Sequence, residues 1–316
     1  MFGFLNCNKP AGMTSRDVVN VVQWRVRSAW REAPDPKPRK IKVGHCGTLD
    51  PLAEGVLVLG VGPAVRLMPY MHHHPKRYLG KFQLGASSET GDLEKGLTLH
   101  DQLPIPTEQQ LLAACQSLTG AIQQVPPAYS AIWVDGKRAY DRVRSGENVQ
   151  MPTRNVVIHD LKLTRYDYPH MELDITCGSG TYIRTLGIDV ARAVGSMAVM
   201  SHLQRVSVGQ FPIESTVDVE TLREQPLEPL LMPAALATTH LPKLRVDDDQ
   251  SKRLMNGLCV DGSPDLVDRD DRFCESPDEG EVAAISASDN LLAIVRRKPR
   301  GWCPIRVFPT TMLPPS

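Results

Sequence analysis

The chain has 316 residues, 41% of them hydrophobic, and equal numbers of basic and acidic side chains give it a formal net charge of zero. No apolar run reaches the roughly 20 residues that a transmembrane helix needs, and the N-terminus lacks the charged and apolar segments of a secretory signal. The seven cysteines show no paired spacing, so we expect reduced thiols in a cytoplasmic protein.

The neutral net charge hides a segregated distribution of charges. Basic residues predominate between Trp24 and Lys42 and again at 296–300, whereas residues 264–281 hold eight acidic side chains against two arginines. A local basic patch can contact phosphate groups, although each run alone is also typical of a solvated surface. We predict that the acidic segment at 264–281 is a flexible loop.

The predicted elements of the first third of the chain mix strands, helices and loops. A strand is expected at residues 4–10. Ser15 can cap a helix that runs to about Trp30, although the valines in it leave a strand open. Residues 33–39 carry three prolines and predict a loop. A strand is expected at 78–86.

The middle of the chain shows the same mixture. Helices are expected at 107–118 and 136–145, with an irregular stretch between them at 123–131. Residues 155–166 and 171–177 show the alternation and branched side chains of paired strands. A glycine-rich turn at 178–180 leads into a helix at about 181–194. Because strands and helices do not alternate regularly, the pattern predicts an α+β domain.

The sequence pattern at the end of the chain predicts a second, smaller unit. A proline- and leucine-rich stretch at 224–242 predicts the connection to it. Beyond it, residues 282–285 and 291–296 are short strand-like runs.

The most informative stretch, residues 44–57, places Asp50 in a Gly-bounded loop that also holds His45. Gly47 permits backbone angles closed to other residues, and Pro51 moves Asp50 towards extended geometry. A carboxylate fixed in this way can act as a nucleophile or a general base. The residues from Asp50 onwards also fit the start of a helix with Asp50 as its N-cap. Local sequence therefore leaves open whether Asp50 is a reactive carboxylate or a helix cap.

Several segments resemble the TruB family of tRNA pseudouridine synthases, and they follow one another in the family's order. The run GHCGTLDPLAEGVL at 44–57 resembles the catalytic loop of that family. The others are NKPAGMTS at 8–15, KRY at 76–78, QVPPAYSA at 124–131, GKRAY at 136–140, GSGTYIRTL at 178–186 and LQR at 203–205. Together they span roughly residues 4–212.

The resemblance implies an α+β pseudouridine synthase fold with a mixed, largely antiparallel central sheet flanked by helices and loops. It also implies a catalytic domain over residues 1–238 and a small, β-rich, PUA-like RNA-binding domain over residues 239–316. The implied reaction isomerises uridine to pseudouridine in the T-loop of tRNA, at position 55. Because the two nucleosides differ only in connectivity, no cofactor and no metal is expected, and the chain lacks a nucleotide-binding fingerprint.

Asp50 matches the family's nucleophilic aspartate. Whether it attacks the sugar, attacks the base or removes a sugar proton stays open. Arg184 matches the arginine that pairs with this aspartate, where a fixed guanidinium would orient the carboxylate. The alternative for Arg184 is an exposed salt bridge on a helix surface.

The resemblance also implies that the target uridine is flipped out of the RNA fold. His45 matches the residue that fills the vacated stack. Tyr78 matches the aromatic residue that packs on the flipped uracil, and its hydroxyl is a candidate for proton transfer. Tyr182 and Leu203 match further residues of the substrate pocket.

The implied partner is the T-arm stem-loop of tRNA, bound by a monomer without an obligate protein partner, a guide RNA or a membrane. Two alternatives stay open: a guide-RNA-dependent synthase of the dyskerin type, and a non-catalytic tRNA-binding or folding protein. Three consecutive histidines, 72–74, cannot all face one ion from a regular strand or helix. We therefore expect a polar surface turn there instead of a metal site.

Overall fold

The computed structural model describes residues 1–32, 41–127, 133–134, 136–138, 142, 145, 147, 150–263 and 280–309. The strands are β1 (Gly3–Lys9), β2 (Val43–His45), β3 (Glu54–Val61), β4 (Lys76–Leu84), β5 (Ala86–Ser87), β6 (Thr98–Leu99), β7 (Gly120–Gln124), β8 (Trp133–Val134), β9 (Lys137–Arg138), β10 (Arg154–Asp167), β11 (His170–Cys177), β12 (Ala198–Val208), β13 (Phe211–Pro212), β14 (Lys243–Arg245), β15 (Glu281–Ile285), β16 (Leu291–Lys298) and β17 (Gly301–Val307). The α-helices are α1 (Ser15–Glu32), α2 (Met68–Met71), α3 (Glu108–Ser117), α4 (Ile183–Ala193), α5 (Val219–Glu224) and α6 (Asp248–Met255). Short 3-10 helices lie at Gly62–Leu67, Ile213–Ser215, Glu228–Leu230 and Ala234–Thr238.

The chain divides into two compact units, of which unit 1 comprises residues 1–74 and 208–316. In unit 1, β1 pairs antiparallel with β3 along its whole length, and β2 pairs antiparallel with the second half of β3. Every residue of β3 after Glu54 is buried, which explains its almost wholly apolar sequence. The valines of α1 form one apolar face, and Val18 and Val22 pack in a core cluster with Leu57 and Leu59 of β3.

The C-terminal part of unit 1 is rich in β-structure, as expected for a PUA-like region. Its sheet has the order β14-β15-β16-β17. The first pair is parallel and the other two pairs are antiparallel. One face carries its own apolar cluster with Leu254 of α6, whereas Ile285 and Phe308 share a cluster with Phe4 and Val56. The division between residues 238 and 239 stays a prediction.

Unit 2 comprises residues 75–207. Its strands lie in the order β12-β4-β11-β10-β7, and β4, β11, β10 and β7 pair antiparallel with their neighbours. Helix α4 packs closely on β4, because a Cβ on Gly187 would lie 2.0 Å from the ring of Phe82. Together the two units form the mixed α+β fold that the sequence predicted.

Most predicted elements of the described residues are confirmed, including α1, β4, α3, the β10–β11 pair and α4. The predicted helix at 136–145 is wrong at Lys137–Arg138, which pairs as a strand with Trp133–Val134. The loop at 33–39 and most of the acidic segment lie outside the described residues. Glu281, at the end of that predicted loop, is buried and begins β15 instead.

The expectation that all cysteines are reduced is wrong for two of them. Cys259 and Cys303 form a disulfide, with 4.1 Å between their Cα atoms. The cause is a backbone bridge between their neighbours: the N–H groups of Val260 and Trp302 each donate to the carbonyl oxygen of the other, at 3.0 and 2.7 Å. This pairing brings together two cysteines that lie 44 residues apart.

The expected surface turn at the three histidines is wrong for His74, which is buried. Its Nε2 lies 3.0 Å from the carbonyl oxygen of Ala237, and its ring meets that of His240 edge-on at 5.2 Å between centroids.

Among the helices of the described residues, none is long and apolar enough to cross a membrane.

Candidate active site

Asp50 lies in the loop that joins β2 to β3 in unit 1. The residue is half-buried, and the N–H of Ala53 donates to its carbonyl oxygen at 3.1 Å, which closes a turn. The next regular element is β3, a strand, so the helix-cap interpretation of Asp50 is wrong. The carboxylate therefore has no helix to cap and is displayed by a turn.

Side chains from β1 and from the start of α1 fix the backbone on both sides of Asp50. Before it, the hydroxyl of Ser15 donates to the carbonyl oxygen of Leu49 at 3.0 Å and accepts from the N–H of Leu49 at 2.8 Å. After it, the carbonyl oxygen of Pro51 accepts from the N–H of Gly12 at 2.8 Å and lies 3.3 Å from the ammonium of Lys9. Fixing both flanks fixes the backbone from which the Asp50 carboxylate projects, and such positioning favours reaction of a nucleophile.

Lys9 is fully buried, and its ammonium donates to three backbone carbonyl oxygens. Two of them, of Pro10 and Met13, lie at 2.9 and 2.6 Å, and the third is that of Pro51. A buried ammonium is costly unless its donors are satisfied. Lys9 is therefore part of the framework of the Asp50 loop.

His45 ends β2 and opens the same loop. Its backbone is opposite Leu59 of β3, and the N–H of the following residue, Cys46, donates to Val58. A Cβ on Gly44 would lie 2.7 Å from the Cε of Met68, so a larger residue there would require the Met68 side chain to move. The sheet thus sets the start of the loop and brings His45 and Asp50 into one segment.

In unit 2, Arg184 lies in the first turn of α4 and is buried. Its Nη1 lies 3.0 Å from Oδ2 of Asp92 and also donates to the carbonyl oxygen of Thr90. Asp92 in turn accepts from the hydroxyl of Thr90 and, at 3.1 Å, from the N–H of Glu94. The guanidinium is therefore held in one orientation by an equally buried carboxylate.

Tyr78 lies on β4 with only 8% of its surface exposed. The guanidinium carbon of Arg205 lies 5.9 Å from its ring centroid, and Nη1 of Arg205 lies 3.5 Å from its hydroxyl oxygen. Arg205 is on β12, beside β4, and Leu203 lies two residues earlier on the same strand. Tyr78, Leu203 and Arg205 thus belong to adjacent strands of one sheet.

Tyr182 is the N-cap residue of α4, two positions before Arg184. It is half-buried, and the guanidinium carbon of Arg154 lies 5.7 Å from its ring centroid. An aromatic ring beside a cation is a platform on which a base can stack.

The free cysteines of the described residues are all buried. None of them is therefore placed to act as the nucleophile instead of Asp50. Burial raises the pKa of Cys115 and of Cys177 to about 11 and also raises that of Cys7, so these thiols stay protonated at neutral pH. In the described part of the chain, no group of three or more histidine, cysteine and carboxylate side chains is placed to hold a metal ion.

Comparison with known proteins decides the family. A family model described as "TruB family pseudouridylate synthase (N terminal domain)" matches residues 36–183. The tRNA pseudouridine synthase B of Rhodopirellula baltica is 42% identical over 98% of this chain and 95% of that protein. The chain belongs to the TruB family of pseudouridylate synthases. Proteins of the same name from Caulobacter sp. strain K31 and Moorella thermoacetica are each 35% identical, over 98% and 95% of this chain and 96% and 95% of their own.

Solved structures show that the TruB-family chain shares its fold with chains of two RNA–protein and protein complexes. An H/ACA RNP bound to a substrate RNA containing 2′-deoxyuridine superposes with a TM-score of 0.68 at 20% identity, over 97% of this chain and 85% of the other. A Cbf5–Nop10–Gar1 complex gives 0.67 at 21% identity, over 96% and 84%. At these identities the likeness concerns the fold alone.

The residues predicted from the TruB-family motifs fall into two groups. His45 and Asp50 share one loop of unit 1, and unit 2 carries Tyr78, Tyr182, Arg184 and Leu203. The exposed salt-bridge interpretation of Arg184 is wrong, because the side chain is buried against Asp92. The predicted pairing of Arg184 with Asp50 stays a prediction.

Sequence reasoning missed Asp92 and Arg205 as neighbours of the predicted residues. Arg205 stands in the LQR run at 203–205, and a basic residue alternating with apolar ones in a strand is a signal of a buried, partnered charge. Asp92 follows Gly91, whose φ is +74° and whose Cβ would lie 3.2 Å from Cδ of Arg184. That requirement for glycine is visible only once the fold is known.

Proposed function

We propose that this chain isomerises uridine to pseudouridine in the T-loop of tRNA, at position 55, with Asp50 as the nucleophile. The observation that carries the proposal is the Asp50 loop, in which a half-buried carboxylate stands between two peptide segments fixed by Ser15 and Lys9. Relatives named tRNA pseudouridine synthase B, matched over nearly their full length, support the reaction and the substrate.

The reaction breaks the bond between uracil N1 and ribose C1′ and forms one between C5 and C1′. C5 loses its proton and N1 gains one, so atoms and electrons balance without an external donor or acceptor. We assign the nucleophilic step to Asp50 and the orientation of its carboxylate to Arg184. No cofactor or metal is needed for this balance.

A uridine inside an RNA fold must be extruded before its glycosidic bond can be reached. We assign to Tyr78 the face of the flipped uracil, because its ring is held on β4 and its hydroxyl faces Arg205. Tyr182 and Leu203 are assigned to the walls of the pocket, and His45 to the stack that the uracil leaves. Base–aromatic stacking offsets part of the cost of extrusion.

We further propose that the chain acts alone, as a monomer in the cytoplasm, without guide RNA. Relatives that are 34–42% identical to the chain are named tRNA pseudouridine synthase B, which supports tRNA as the substrate. The guide-dependent alternative rests on a likeness in fold at 20–21% identity. A non-catalytic tRNA-binding protein would not require the framework around Asp50 or the buried Arg184–Asp92 pair.

The test is to incubate the purified chain with an unmodified T-arm stem-loop RNA in the presence of a metal chelator and without guide RNA. Pseudouridine is then mapped by carbodiimide labelling and primer extension. The proposal predicts a single stop at the T-loop uridine and none in a control RNA that carries cytidine there. An unmodified RNA that still binds the protein would favour the binding protein, and modification only after addition of a guide RNA would favour the dyskerin type.

A further inference from the structure

The side chain of Gln124 makes two hydrogen bonds to the backbone of Tyr182, and the proposed mechanism assigns Gln124 no role. It is the last residue of β7, and only 1% of its surface is exposed. Its side-chain Nε2 donates to the carbonyl oxygen of Tyr182 at 3.0 Å, and its Oε1 accepts from the N–H of Tyr182 at 2.8 Å. One amide side chain thus satisfies both backbone groups of a single residue 58 positions away.

The backbone of Gln124 is itself fixed. It is opposite Arg154 in the antiparallel β7–β10 pair. Two prolines, Pro126 and Pro127, follow shortly after it and restrict the chain that leaves the strand. The side chain therefore projects from a rigid base, so its amide plane can impose a position on Tyr182.

The contact falls where helix α4 lacks a cap of its own. Tyr182 is the N-cap residue, with φ −95° and ψ 105°, and its side chain makes no capping hydrogen bond. In a capping box, a side chain from the third helical position accepts the N-cap N–H. Here Gln124, from another element, takes that role. The carbonyl oxygen of Tyr182 also accepts from the N–H of Leu186 at 3.0 Å, so Gln124 is its second donor.

The start of α4 carries two of the residues assigned to the reaction. Tyr182 is the cap, and Arg184 follows in the first turn with its carboxylate partner Asp92. A shift of the Tyr182 peptide would move both side chains, and a misplacement of about 1 Å can cost about 100-fold in rate.

We propose that Gln124 is a positioning residue that holds Tyr182 and Arg184 in the arrangement required for pseudouridine formation. The inference rests on the proposed function. It requires an amide, since only an amide of this length both donates to the Tyr182 carbonyl and accepts from its N–H. Glutamate has the same shape, but when ionised it only accepts, and it would set an anionic oxygen against the Tyr182 carbonyl oxygen.

The test compares the kcat and KM of four proteins on tRNA labelled with tritium at uridine C5. The variants are Gln124→Glu, Gln124→Met and, as a matched control, Gln123→Glu, which adds the same charge at an exposed neighbour on the same strand. We expect kcat to fall about tenfold in Gln124→Met, which removes both hydrogen bonds, and about 100-fold in Gln124→Glu. KM should stay within about threefold, because RNA affinity rests on phosphate and shape contacts, and Gln123→Glu should match the wild type.

A side chain that merely fills space would give the opposite order, with the isosteric Gln124→Glu nearest to the wild type. That order, or a change confined to KM, would overturn the inference. Melting curves show which variants are folded. If Gln124→Glu is unfolded, the kcat of Gln124→Met decides alone, and a wild-type value there overturns the inference. An inactive wild type would refute the proposed function itself. An active wild type together with Gln124 variants of unchanged kcat would refute only the positioning role.

Discussion

Replacing Asp92 by asparagine removes the buried carboxylate that pairs with Arg184. Only 1% of the Asp92 side chain and 7% of the Arg184 side chain are exposed. Three donors converge on the carboxylate: the hydroxyl of Thr90, the N–H of Glu94 and the guanidinium. Asparagine keeps the shape but turns an amide N–H₂ towards at least one of these donors and removes the anionic oxygen that lies 3.0 Å from the guanidinium.

Breaking one partner of a buried ion pair costs about 3–5 kcal/mol. For a unit of this size, each kcal/mol moves the melting temperature by about 3–4 °C. We therefore expect Asp92→Asn to melt about 10–20 °C below the wild type. At a temperature where the variant is folded, we also expect kcat to fall at least about tenfold, because Arg184 has lost its orienting partner.

The assay is thermal unfolding followed by tritium release, with Arg192→Gln as control. Arg192 lies on the same helix and pairs with Asp189, but 73% of its side chain is exposed, so its loss should cost less than about 1 kcal/mol. The double variant Asp92→Asn, Arg184→Met removes both charges and should be more stable than the sum of the single effects predicts. Additive effects, or an Asp92→Asn variant as stable as Arg192→Gln, would refute the reasoning.

Two further predictions concern packing and the cysteines. Gly187→Ala puts a methyl group 2.0 Å from the ring of Phe82 and should destabilise the protein by about 1–3 kcal/mol. In Gly96→Ala the methyl meets nothing within 4 Å, so equal melting temperatures for the two variants would contradict the packing of α4. Alkylation of the denatured, unreduced protein should leave Cys259 and Cys303 unlabelled until a reductant is added, and peptide mapping that finds them labelled beforehand would disprove the disulfide.

The elements that the sequence predicted well are those with a strong local pattern. The alternation in β10 and β11 and a helix start near Ser15 are readable within a few residues, and the structure confirms them. The predicted cap is wrong by one residue, because the hydroxyl of Thr14 accepts from the N–H of Asp17 at 3.1 Å, whereas that of Ser15 bonds to Leu49. Asp50 shows the limit of this approach. Its neighbours fit a helix start, but the residues after it are drawn into β3 by pairing with β1. Local signals could not decide between the two because the decision is made by a distant strand.

The features that the sequence did not reveal depend on contacts between residues far apart in the chain. Asp92 forms an isolated bridge with Met200 in a segment that has no periodic pattern, and its link to Arg184 exists only because the fold buries both side chains. The disulfide has the same origin, since Cys259 and Cys303 become neighbours through the bridge between Val260 and Trp302. The spacing of residues along the chain therefore predicts neither the Asp92–Arg184 pair nor the disulfide.

The most direct test of the central claim is tritium release from tRNA labelled at uridine C5, measured for the wild type and for Asp50→Asn. Glu54→Gln is the control, a carboxylate lost four positions later in the same segment. We predict one equivalent of tritium per tRNA from the wild type and from Glu54→Gln, and none from Asp50→Asn, which should bind tRNA within about tenfold of the wild type. Release by Asp50→Asn, or loss of its tRNA binding, would contradict the role assigned to Asp50.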